Sequence, residues 1–260
     1  MNRKKLIAFS ISLAMTVVPV TPAAAAGAEQ NTEGLQNAVL DLEFENSLED
    51  SSGKGNNGRL SSGEAEYVDG VVGKGLKMNG SSYVNLGNST DLQPENLTLS
   101  FWIRPDSDMK GEELISWNKN EWYTDGWYLS SENDNTPLTL SVGPAKTNGQ
   151  PYRVSVSGKR SEFLPTGEWT HIAVTYDKDS KEICFYRNGV KCSTVTTYGI
   201  SGESTGVLGS DATMEKSIGY NGPKYKGAYL KASLDEYQLY NDVATPEEVI
   251  ALYEESGQTF

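Results

Sequence analysis

The chain has 260 residues, with 22 Lys and Arg against 35 Asp and Glu, a net charge of −13, one histidine and two cysteines. Such an acidic surface repels phosphate backbones and anionic lipid, and no basic patch interrupts it, so neither a nucleic-acid partner nor membrane insertion is expected. A lone histidine, and no glycine-rich phosphate loop, leave little material for triad hydrolases or nucleotide chemistry.

In chain order, Met1-Asn2-Arg3-Lys4-Lys5 is a positive start, Leu6 to Val20 is apolar, and Pro22 to Ala28 is rich in small residues. That is the three-part pattern of a secretory signal peptide, residues 1–28, with cleavage expected near Ala26 or Ala28. The protein is therefore expected to be secreted and extracellular. Loss of Arg3, Lys4 and Lys5 with the leader would take the charge from −13 to −16. Residues 29–37 read as a flexible polar lead-in, and 38–256 as one β domain.

Ala38 to Glu45 alternates, with Leu40, Leu42 and Phe44 inward and Asp41, Glu43 and Glu45 outward. Asp50-Ser51-Ser52-Gly53-Lys54-Gly55-Asn56-Asn57-Gly58 is a turn-rich loop. Leu97 to Ile103 alternates again and ends at Pro105, and short alternating runs recur every 8–14 residues or so, the pattern of a sandwich or jelly roll. Thr170-His171-Ile172-Ala173-Val174-Thr175-Tyr176 is apolar on both faces and predicts a strand covered on both sides. His171 lies mid-strand and reads as a satisfied structural residue.

Asn188-Gly189 predicts a hairpin turn. A two-residue loop would set Cys184 opposite Ser193. An Arg187-Asn188-Gly189 loop would set Cys184 opposite Cys192 and permit a disulfide, which export would favour. Thr245 as N-cap, Pro246 at N1 and Glu248 at N3 predict a capped helix to about Glu254.

Gly167-Glu168-Trp169-Thr170-His171-Ile172-Ala173-Val174-Thr175-Tyr176-Asp177 followed by Tyr186-Arg187-Asn188-Gly189 resembles the laminin G-like branch of the concanavalin A-like lectin/glucanase superfamily. So do the opening strand with its Asp50 loop, the Gly70 to Gly80 run, and Leu234-Asp235-Glu236-Tyr237 near the end. The resemblance implies an all-β, two-sheet antiparallel jelly-roll sandwich with a short C-terminal helix, in which Trp102, Trp127 and Trp169 match strand positions of the family and are expected in the core. It also implies a structural Ca²⁺ bound by Asp235, with Glu45, Asp50 and a carbonyl near Gly80 as partners, in keeping with the oxygen ligands Ca²⁺ takes.

A carbohydrate-binding, lectin-like module without catalysis is the expected function, with an extracellular glycan or polysaccharide as partner. Aromatic faces and polar tips suited to sugars gather in Trp117, Trp122, Tyr123 and Asp125, in Tyr152, and in Tyr220, Asn221 and Tyr225. The rival readings are a glycoside hydrolase or polysaccharide lyase on the same fold, and an adhesion module with a protein ligand. Retaining glucanases of the superfamily carry Glu-x-Asp-x-Glu on one strand. Here Val39 stands where the first Glu would be.

Overall fold

The computed structural model describes Leu35 and residues 38–106, 113–119, 126–143, 152–196, 215–220 and 229–258. All described elements belong to one compact unit, Glu33–Phe260. Among the described residues no helix is long and apolar enough to cross a membrane.

The strands are β1 (Ala38–Leu42), β2 (Arg59–Leu60), β3 (Glu66–Asp69), β4 (Lys74–Asn79), β5 (Val84–Asn85), β6 (Leu97–Pro105), β7 (Glu113–Lys119) and β8 (Gly126–Ser131). They continue with β9 (Thr139–Val142), β10 (Tyr152–Ser155), β11 (Thr170–Tyr176), β12 (Glu182–Arg187), β13 (Val190–Thr196), β14 (Ser217–Ile218) and β15 (Lys231–Tyr240). A 3-10 turn (Thr90–Leu92), a four-residue helix α1 (Arg160–Phe163) and the terminal helix α2 (Pro246–Glu254) complete the described elements. They form two antiparallel sheets. Sheet A runs β13-β12-β11-β6-β15-β4-β3, with β1 also paired to β15, and sheet B runs β10-β9-β8-β7-β14-β5-β2. This is the two-sheet sandwich with a short C-terminal helix that the alternating runs predict.

Period-two alternation explains what each sheet buries. Leu97, Leu99, Phe101 and Ile103 of β6 and Ile172, Val174 and Tyr176 of β11 face sheet B, where they meet Ile115, Trp127, Leu129 and Leu140. The opposite face of sheet A is covered too. There Ala173, Cys184 and Tyr186 pack against Ala244 and Val249 at the start of α2. All seven residues of β11 are buried. The helix begins as expected, with Thr245 Oγ1 accepting the Glu248 N–H and Glu248 Oε2 accepting the Thr245 N–H.

Two sequence expectations change. Trp169 is half-buried on the outer face of sheet A, with the Arg104 guanidinium 4.8 Å from its ring centroid, and is not a core residue. The Asn188-Gly189 hairpin has a two-residue loop closed by Arg187 and Val190, with φ of 49° at Asn188 and 75° at Gly189, the backbone of a type I′ turn. A bulge between Phe185 and Tyr186 then shifts the register, so Cys184 faces Thr194. The disulfide that a three-residue loop would have permitted does not form: Cys184 is buried and Cys192 exposed, and neither is in a disulfide. Alkylation of the native, unreduced protein should modify Cys192 and spare Cys184, and unfolding without reductant should expose the second thiol. A mass two hydrogens below the dithiol form would contradict this register.

Candidate functional site

The carboxylates expected to hold metal sort into two separate places. Asp235 is fully buried on β15, at a bulge that runs to Gln238. Its Oδ2 accepts the N–H groups of Val71 (2.7 Å) and Val72 (3.0 Å), and its Oδ1 accepts the Glu236 N–H (3.0 Å). The turn that delivers those donors is closed by the Gly70 N–H bonding to the Gly73 carbonyl. Glu45 reaches the same turn, where Oε1 accepts the Lys74 N–H. A Cβ at Gly70 would lie 2.4 Å from Asp235 Oδ2, and one at Gly73 would strike the Glu45 carboxylate. Two glycines therefore let two carboxylates converge on one turn. Burial, with the charge of Glu45 adding to it, pushes the Asp235 carboxyl up to about 6 against the pull of its three N–H donors.

Phe44, Asn46 and Glu236 all have left-handed backbone, φ 54°, 56° and 45°. They flank Glu45 and Asp235 directly. Strained residues clustered around paired acids mark a place where backbone shape serves more than packing. A carboxylate offers about four lone-pair sites, so Asp235 retains one on Oδ1. The donor set is hard oxygen, as Ca²⁺ takes, though among the described residues no group of three or more His, Cys, Asp or Glu converges. Carbonyls and water would have to complete the coordination.

Asp50 and Gly80 take other roles. Asp50 Oδ1 accepts the N–H groups of Asp41 and Ser52 and Oδ2 that of Asn56, which staples the turn-rich loop to β1. Gly80 lies past the far end of β4, against Lys231. Asp235 follows Leu234, the partner of Leu76, so Gly80 stands several residues, roughly 13–16 Å, further along the strand. Its carbonyl is not beside Asp235.

His171 is sealed. It is 1% exposed, its Nε2 lies 2.9 Å from Ser100 Oγ, and its ring packs against both Trp102 and Tyr253, which also stack on each other. Its Nδ1 has no hydrogen-bond partner. A cavity of about 10 Å³ lined by Ser100, Trp102, His171 and Gln238 lies beneath α2, room for one water. The Ser-His pair and the Asp235 carboxylate are buried, while Glu45 is exposed beside the turn.

Of the expected glycan residues, Trp122, Tyr123, Asp125, Asn221 and Tyr225 lie outside the described residues. Trp117 is within β7, not in a loop, and occupies the register position between Tyr128 and Ser217. The row it completes crosses sheet B as Arg153, Ser141, Tyr128, Trp117, Ser217, Asn85 and Arg59. Tyr152 opens β10 and pairs in register with Val142 of β9.

Tyr220 is described fully. Its ring stacks on Tyr229 (centroids 4.4 Å apart, planes at 8°) and on Tyr83 (5.0 Å, 25°). Tyr220 is buried, whereas Tyr83 and Tyr229 are half-buried. Sequence reasoning missed both neighbours. Their one signal was position, Tyr83 lying immediately before β5 and Tyr229 two residues before β15, after a Gly-Ala pair.

A laminin G-like profile of the Concanavalin A-like lectin/glucanases superfamily matches residues 78–250. The chain belongs to that superfamily. No curated protein matches it in sequence. Among solved structures, domain 4 of AbnA, a GH43 extracellular arabinanase from Geobacillus stearothermophilus in complex with arabinotriose, is 22% identical with a TM-score of 0.61; the match covers 85% of this chain and 100% of that one. The binding domain of Paraclostridial Mosquitocidal Protein 1 is also 22% identical, TM-score 0.62, over 84% of this chain and 52% of its own. The botulinum neurotoxin serotype D ligand binding domain in complex with N-acetylneuraminic acid is 19% identical, TM-score 0.60, over 85% and 52%. This chain thus spans about half the length of those toxin chains. At these identities the likeness establishes the fold.

One prediction concerns His171. Burial holds its imidazole at about 3, below the usual 6.5. The unfolded chain therefore takes up a proton below pH 6.5 that the folded one refuses, and the stability tied to His171 is lost as pH falls from 6.5 towards 3. The steepest loss is about 1.4 kcal/mol per pH unit. Urea titrations across this range should show that limb flattened in His171→Gln.

Proposed function

We propose that this is an exported, non-catalytic carbohydrate-binding module steadied by Ca²⁺. The observation that carries it is the surface. Among the described residues, Val190 is the one large apolar side chain that is exposed, while tyrosines gather in a stack at strand ends. A protein-recognition module of the adhesion kind would call for a broad apolar patch. Sugars are held instead by aromatic faces and a few polar groups. The arabinotriose complex of the arabinanase domain and the N-acetylneuraminic acid complex of the toxin domain support a glycan as the ligand class. The sealed His171 and Asp235 argue against hydrolysis. Export rests on the leader pattern of residues 1–28.

Titration of the mature protein against arabinotriose and a panel of neutral oligosaccharides, beside a reducing-sugar assay, tests this reading. Binding with no new reducing ends is expected. New reducing ends would make the protein a hydrolase, and silence towards every glycan would remove the reading.

For the metal, Glu45 and Asp235 are the residues that would hold Ca²⁺, which would neutralise two adjacent carboxylates at the Gly70–Gly73 turn. Chelation should lower the melting temperature by several degrees, and saturating Ca²⁺ should restore it. In Glu45→Gln the calcium-dependent part of that shift should disappear. An unchanged melting temperature on chelation would sink the metal assignment.

A further inference from the structure

Tyr83, Tyr220 and Tyr229 form a column that the hydrophobic core does not use. None of the three belongs to the core cluster between the sheets or to the one beneath α2. Yet Tyr220 is 6% exposed, because aromatic rings cover it. Face-to-face stacking at these separations is within the range aromatic pairs favour. The column comes from three distant parts of the chain: the residue before β5, the residue two past β14, and the residue two before β15.

The backbone beneath it is fixed. The Tyr83 N–H donates to Ser61 Oγ and the Tyr83 carbonyl accepts the Ser61 N–H. Ser217 Oγ donates to the Tyr220 carbonyl at 2.6 Å, and the Leu230 N–H beside Tyr229 donates to the Gly219 carbonyl. Rings held this way lose little freedom on meeting a ligand.

We infer that Tyr83 and Tyr229, backed by Tyr220, form a preorganised stacking platform for a neutral sugar ring. The inference rests on the carbohydrate-binding reading above and adds its place and the charge class of its ligand. A π face takes the C–H face of a sugar, and the phenol hydroxyls supply donors and acceptors at the rim. Charge selects among sugars. Burial first, and then the carboxylate of Glu215, push the Tyr83 phenol upwards, so an acid stands beside the platform. With a chain charge of −13, uronates and sialic acids meet repulsion both locally and at a distance.

The test titrates the mature protein with arabinotriose, cellotriose and chitotriose as neutral probes and with N-acetylneuraminic acid as the anionic one. Tyr83→Ala and Tyr229→Ala are compared with wild type, each checked by circular dichroism and melting temperature. If a truncated variant fails to fold, ring-proton shifts of the tyrosines in the wild-type titration give a reading free of mutation. We expect a neutral trisaccharide to bind, each substitution to weaken it about tenfold, and the ring protons of Tyr83 and Tyr229 to move. Unchanged affinity in folded variants, with unmoved tyrosine rings, would overturn the platform while leaving carbohydrate binding intact. Tighter binding of N-acetylneuraminic acid than of any neutral probe would overturn the charge selection. Failure to bind any sugar would remove the platform together with the reading it rests on.

Discussion

The buried carboxylate of Asp235 is the constraint on which the edge of sheet A depends. It draws three backbone N–H groups to itself, two of them from a turn 163 and 164 residues earlier in the chain. An acid with no exposed surface is costly unless its oxygens are satisfied. That cost orders its surroundings: the bulge in β15, the left-handed Glu236, and glycine at 70 and 73, where a side chain would collide with a carboxylate. Glu45 then brings a second negative charge to the same turn.

Covering sheet A on both faces has a functional result. The core lies on one side, and on the other α2 lies over Trp102, His171, Ala173 and Tyr186. Over β6, β11 and β12 that outer face is closed to a ligand. What the described structure leaves partly open is the strand ends where Tyr83 and Tyr229 stack on Tyr220.

The fold was legible because its signals are periodic. Two-sided apolarity in β11 foretold the double cover, and Thr245-Pro246-Glu247-Glu248 foretold the start of α2. The site was legible only in part. Asp235 and Glu45 were named from family resemblance and do meet at one turn. Asp50 and Gly80 were named with them, although local loop geometry gives Asp50 its own three N–H donors and the length of β4 carries Gly80 away. The cysteine pairing failed on the two-residue loop, which sets Cys184 opposite Ser193, and a bulge that alternation cannot show moves it on to Thr194. Tyr83 and Tyr229 escaped notice because stacking between residues 137 and 9 positions apart in sequence from Tyr220 leaves no local pattern.

The central place of β15 carries a consequence for how the molecule is made. This strand joins β6, β4 and β1 at once, and Gln238 hydrogen-bonds Asp41 across 197 residues. As the chain emerges from the ribosome, sheet A stays split until residues 231–240 arrive. Until then β1, β4 and β6 keep open edges. Contacts this distant make for slow folding, and unpaired edges invite association with other chains. The nascent domain is therefore most vulnerable just before its synthesis ends, and a chain stopped short of residue 231 would lack the strand on which the closure of sheet A depends.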